Sequence, residues 1–197
     1  MIKPHGSEQL NPLFVYDVAE HQALTHKAAS LPSMMLSSAA AANAVMMGSG
    51  YFNPLTGYMN LADALSTAEH MKTTSGLFWP VPVLNLTKDI SAIKGHKHIA
   101  LRDPNVEGNP VLAVMDVEAI EEASEEQMRL MTEKVYRTTD PEHPGVAAFN
   151  SAGRYVVSGP IKVLSFSYFQ TEFPDIFRTA VAIRNGIAER GWKKGGA

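Results

Sequence analysis

Leu61, Ala64, Leu65, Ala68 and Met71 recur at three- and four-residue steps, the spacing of one buried helix face, and Asn60 supplies the acceptor a helix start needs. Two earlier helices are marked by their ends. Asp17-Val18-Ala19-Glu20 has the form of a capping box before a run of good helix formers to Ala29, which Leu31-Pro32 stops. Ser37 or Ser38 caps a second helix through the alanines to Met47, with Gly48 and Gly50 able to close it in the left-handed conformation. Ser124-Glu125-Glu126-Gln127 is a further capping box, opening a helix to about Tyr136.

Between these helices the pattern shortens to strands. Residues 78–86, 98–102 and 110–117 are runs rich in Val, Ile and Leu, bounded by Gly, Pro and Asn. Pro80 and Pro82 remove two amide donors from the first run, so one side of it must be an edge or a bulge. Strands resume at 155–157 and 161–166, with Ser158-Gly159-Pro160 read as a turn between them. From Phe173 to Arg190 the spacing is helical again, with Phe173, Phe177, Ala180, Val181 and Ile187 or Ala188 on one face and Gly191 able to close it. Clustered strands flanked by helices, rather than strict alternation, predict an α+β fold around a curled sheet.

Residues 50–59, Gly-Tyr-Phe-Asn-Pro-Leu-Thr-Gly-Tyr-Met, pack turn formers and aromatics into one shaped loop that must fold against a core. Together with Pro4-His5-Gly6, Trp79-Pro80-Val81-Pro82-Val83, Leu101-Arg102-Asp103, Gly108-Asn109-Pro110, His143-Pro144-Gly145-Val146 and Ser158-Gly159-Pro160-Ile161, this loop resembles the N-terminal domain of the ATP sulfurylases (sulfate adenylyltransferases), in family order from residue 2 to about 192. The wording is most similar to enzymes of sulfur-oxidising bacteria. The resemblance implies a PUA-like β-barrel domain with flanking helices over residues 1–170, then a linker and the first helix of a nucleotide-binding domain over 171–197. It also implies that ATP and sulfate are bound by a second domain opening on Gln-x-Arg-Asn-Pro and two histidines three residues apart. These 197 residues reach Gly195-Gly196-Ala197 without that motif, and Arg184-Asn185-Gly186 echoes it only superficially.

The expectation is therefore a noncatalytic scaffold and subunit-contact domain of an enzyme that converts MgATP and sulfate to adenosine 5'-phosphosulfate and pyrophosphate, or runs the reverse. No catalytic, cofactor-binding or metal site and no cofactor is expected in this chain, MgATP belonging to the intact family. Expected partners are the catalytic domain or other subunits, or a second copy of the chain. Two alternatives stand beside it: a PUA-like RNA- or protein-binding module, and a subunit acting in trans with a separate catalytic half. The terminal helix, without the sheet it would cover, is expected to fold back, pair with another copy, or fray.

Composition narrows the field further. A net charge of -3 gives no long-range attraction for phosphate backbones, which makes nucleic acid a poor partner. Zero cysteines exclude disulfides and thiolate metal sites, and fit a cytoplasmic setting, as does the lack of any apolar run long enough for a membrane span or signal peptide. The 45% hydrophobic content suits a packed core.

Of the seven histidines, His96 and His98 share a face only in a strand, and no cysteine or nearby carboxylate completes a metal set. His21 and His26 fall on different helix faces, while His5 and His143, each beside a proline and a glycine, read as structural corners. Glu118, Glu121, Glu122, Glu125 and Glu126 lack the ligand alternation and glycine bend of a calcium loop and read as a solvated loop and helix start. No Walker loop, dinucleotide glycine motif or nucleophile elbow is present, and Lys193 and Lys194 are terminal.

Overall fold

A computed structural model describes residues 3–193. Its elements follow in order: α1 (Val18–Ala28), β1 (Ser33–Met35), α2 (Ser38–Ser49), β2 (Gly57–Tyr58), α3 (Leu61–His70), β3 (Leu86–Thr87), β4 (His98–Arg102), β5 (Val111–Asp116), β6 (Ala119–Glu122), α4 (Glu125–Tyr136), α5 (Pro144–Ser151), β7 (Tyr155–Val163), α6 (Phe169–Glu172) and α7 (Ala180–Glu189). The result is an α+β fold around a curled, half-barrel sheet of seven strands.

Helix ends follow the predicted caps, except that the box expected at α1 forms only by half, since the Glu20 carboxylate pairs with Lys162 instead of reaching back to the Asp17 amide. The side chains of Asp17, Ser37 and Asn60 accept from the amides of Glu20, Ala40 and Asp63, and Gly50 closes α2 with φ 88°. Ser124 and Gln127 form the reciprocal box at α4. These acceptors satisfy amides that a helix start leaves without partners.

Strand β7 is the spine of the sheet. Along one edge it pairs antiparallel with β5 and then β6; along the other it pairs with β2 and β3, and Phe14 bridges to Val163. Beyond β5 lie β4 and then β1, the latter parallel to β4. Ser158-Gly159-Pro160 is therefore not a turn, and 155–163 is one continuous strand. Alternation along β7 points the donorless Pro160 nitrogen at the place where the facing chain passes from β5 to β6, so no ladder bond is lost there.

Other expectations are corrected in the same way. Residues 78–86 do not form one strand: the chain bends at Pro80 and Val81 and joins a ladder only at Leu86–Thr87, apart from a single bridge from Phe78 to Lys72, as two missing proline donors require. Residues 119–122, read as part of an acidic loop, form β6 because β7 offers them a partner. His143-Pro144-Gly145 opens α5: His143 accepts from Val146 N, and Pro144 stands at the first helical position, where a missing amide costs nothing. The helix read over 173–190 begins only at Ala180, capped by Thr179, because Pro174 interrupts the pattern.

The main core lies between α2 and the sheet, with Ile99, Leu101, Leu112, Met115, Val157 and Val163 fully buried. A second cluster joins α3 and α4 over Leu84, Leu86 and Val156. On the opposite face of the sheet, Ala28 and Leu24 of α1 pack on Ala100 and Val114. The alternation of Ile99 and Leu101 against Ala100 along β4 is the two-residue period that puts neighbours on opposite faces.

Candidate functional site

The sequence landmarks converge in two places. In the first, the loop after α2 is held by Asn53, which is 5% exposed. Its Nδ2 donates to His5 O at 2.9 Å and to Ser7 Oγ at 2.7 Å, and its Oδ1 accepts from Asn11 N at 2.8 Å. His5 Nε2 donates to Phe78 O at 2.8 Å, and the His5 ring sits near those of Phe78 and Trp79, while Phe52 meets Trp79 edge to face. Gly6, at φ 67°, is packed so closely that a Cβ would lie 2.7 Å from Leu77. Burial pushes the Tyr58 phenol up, and its hydroxyl donates to Ala40 O at 2.7 Å. All the side-chain hydrogen bonds here point back into the protein, so the loop joins the N-terminal segment to the 78–83 strip.

In the second, Arg102, Asp103, Asn105 and Asn109 build a turn beside the start of α2. Asp103 Oδ1 accepts from Asn105 N at 2.9 Å, Asn109 Nδ2 donates to Asp103 O at 3.0 Å, and Ser38 Oγ donates to Asn105 Oδ1 at 2.7 Å. Both clusters are architectural in geometry.

The histidines do not gather. His96 lies outside β4, His98 Nδ1 pairs with Asp116 Oδ1 at 2.6 Å across β4 and β5, and His21 Nε2 donates to Leu164 O at 2.8 Å. The glutamates separate as well. Glu121 accepts from Leu61 N at 2.9 Å and so helps cap α3, Glu122 pairs with Arg154, and Glu125 and Glu126 occupy the first turn of α4. Among the described residues no group of three or more His, Cys, Asp or Glu side chains is placed to hold a metal ion, and no helix is long and apolar enough to cross a membrane.

Two open surfaces among the described residues bear on function. The terminal segment folds back on its own domain: Phe177 packs on Phe166 and Phe169, Ala180 is buried beside Gly50, and Tyr51 Oη donates to Arg178 O at 2.8 Å. The same segment still exposes Phe173, Ile176, Ile183 and Trp192, with Ile176 at 74%. The other surface is a cleft of about 660 Å³ between α4, the end of α5 and the start of β7. Sequence reasoning missed that cleft, since its lining residues are scattered along the chain.

Residues 2–166 match the family described as PUA-like domain. The chain belongs to that family. This PUA-like domain also bears out the sulfurylase resemblance. The sulfate adenylyltransferase of Allochromatium vinosum is 64% identical over 194 residues, covering 98% of this chain and 49% of the relative. That of the Riftia pachyptila sulfur-oxidizing endosymbiont is 61% identical over 194 residues, covering 98% and 44%. That of Thiobacillus denitrificans is 36% identical over 195 residues, covering 98% and 46%. The PUA-like chain thus spans about half the length of the curated relatives it matches. Among solved structures, a hexameric APS kinase from Thiobacillus denitrificans superposes with a TM-score of 0.71 over 98% of this chain and 33% of its own. At 22% identity that likeness shows a shared fold.

Proposed function

We propose that this chain is the noncatalytic N-terminal domain of a sulfate adenylyltransferase, serving as scaffold and contact surface for the part of the enzyme that joins MgATP and sulfate or runs the reverse. The observation that carries this reading is the 64% identity to an enzyme of that name over half its length. The exposed apolar side chains of the terminal segment support the contact role, because Phe173, Ile176, Ile183 and Trp192 expose apolar surface beyond what the domain's own packing uses. The reading puts the boundary near residue 170 and treats the segment after it as the bridge to the nucleotide-binding part. Contacts between copies belong to the same proposal, and the hexameric neighbour makes them a reasonable expectation for this fold.

Two measurements test it. Pure chain given adenosine 5'-phosphosulfate and pyrophosphate should form no ATP; formation that a substitution in this chain abolishes refutes the reading. The second half of the Allochromatium vinosum relative, expressed separately, should associate with this chain in sedimentation, and Ile183→Asp should weaken that association. Equal association of the variant refutes the contact role.

A further inference from the structure

The cleft between α4, α5 and β7 has a charge pattern that the fold does not require. Lys88 follows β3, Arg129 lies on α4, and Arg154 precedes β7, so three cations from distant parts of the chain line one depression with a single carboxylate, Glu125. Arg154 is engaged by Glu122. Lys88 and Arg129 form no ion pair among the described residues; Glu125, one turn before Arg129 on α4, makes no close contact with it, and Glu122 and Glu126 line the adjoining depression on the Arg154 side, so the excess of positive charge sits at the Lys88 and Arg129 end. An excess of positive charge in a concave surface raises the local concentration of anions even when the net charge of the whole chain is -3. The Asn150 side chain also lines the cleft and makes no hydrogen bond among the described residues, so its amide is free to donate.

Size and lining narrow the ligand. At about 660 Å³ the space falls in the range of ~300–1,000 Å³ that holds small organic ligands, and a bare oxyanion would leave most of it empty. Met128 and the half-buried Tyr155 supply an apolar floor beside the cations. We propose that this cleft binds a small soluble organic phosphate, its dianion held by Lys88 and Arg129 and its body packed on Met128 and Tyr155. The site stands apart from the sulfurylase reading and does not depend on it.

Phenyl phosphate is the probe, titrated into the full 197-residue chain at low salt and followed by amide chemical shifts. Saturable shifts centred on Arg129, Asn150, Gly153 and Tyr155 are expected. Inorganic phosphate alone and phenol alone should each bind about tenfold more weakly, since each keeps only one of the two recognition elements. K88Q/R129Q should weaken phenyl phosphate about tenfold or more and remove its salt dependence, whereas E125Q should tighten it about twofold to fivefold. Lys88 and Arg129 are exposed, so these variants keep the core intact; K88Q alone provides the same test at smaller amplitude. K162Q, on the other side of the sheet, should bind as the parent does. No saturation by about 10 mM, which corresponds to less than ~3 kcal/mol, overturns the proposal. So do shifts centred elsewhere, an unchanged affinity in K88Q/R129Q, or inorganic phosphate binding as tightly as the ester.

Discussion

Gly57→Ala tests the junction between β2 and the spine strand. Gly57 pairs with Pro160, and a Cβ added there would lie 2.0 Å from the Gly159 carbonyl oxygen and 2.7 Å from the Pro160 Cα. Both obstacles are backbone, so no rotamer change relieves them, and the strands must part by about 1 Å to reach even a tight contact. Parting them removes the hydrogen bond from Ile161 N to Thr56 O, 2.9 Å long. One lost ladder bond costs about 1 kcal/mol and the unpaired buried groups about 1–3 more, so the substitution should cost about 2–4 kcal/mol. Gly186 makes the contrast. Its added Cβ would meet only the tip of Arg190, and replacing a mid-helix glycine by alanine favours the helix by up to about 1 kcal/mol. Urea unfolding followed by circular dichroism reads both variants, with the slope expected to stay constant and the midpoint to fall only for Gly57→Ala. A midpoint for Gly57→Ala equivalent to a loss below about 0.5 kcal/mol would show that the β2 contact yields easily, and the reasoning would fail.

Leu101→Ala, at a fully buried position of the main core, should lower unfolding free energy by about 2–5 kcal/mol in the same urea assay. Asp89 accepts from the amide and the hydroxyl of Ser91, which hold its carboxyl below the usual carboxylate range. Its folded value being depressed, this contribution to stability is present above the unfolded carboxylate pKa and is lost as pH falls through the folded one. A carbon-detected titration should find Asp89 low in the parent and raised only part of the way toward the ordinary value in Ser91→Ala, which removes the hydroxyl donor but keeps the amide.

What could be read from the chain was what local chemistry decides. Ser37 and Gly50 bracket α2 because a cap acceptor and a left-handed closing residue act within a few residues of themselves. The strand runs at 98–102 and 110–117 carry their own apolar pattern and were legible for the same reason. β6 was not, because Ala119–Glu122 reads as acidic and solvated until β7 supplies a partner and Leu61 supplies a donor for Glu121. Gly159-Pro160 reads as a turn for lack of any local sign that the facing chain changes strand at that point. The cationic cleft was hidden for a third reason: Lys88, Arg129 and Arg154 become neighbours only after the helices and β7 are assembled. The family-bearing loops were legible as a resemblance, and their joint purpose emerged only when Asn53 and His5 were seen tying them together.

The late position of β7 in the chain has a consequence for synthesis. Leu13, Phe14, Gly57, Leu86, Val114 and Ile120 all lie on segments whose shared partner leaves the ribosome after them, and the Phe14 bridge to Val163 closes nearly the whole length of the domain. Until that strand emerges, β5 can pair only along its β4 edge and the other segments hold open edges with no ladder to join, and the entropy of closing so long a loop falls due in a single step. Nascent chains stalled before residue 155 should therefore be the species that chaperones hold, and the sheet should zip shut as a unit once the spine arrives.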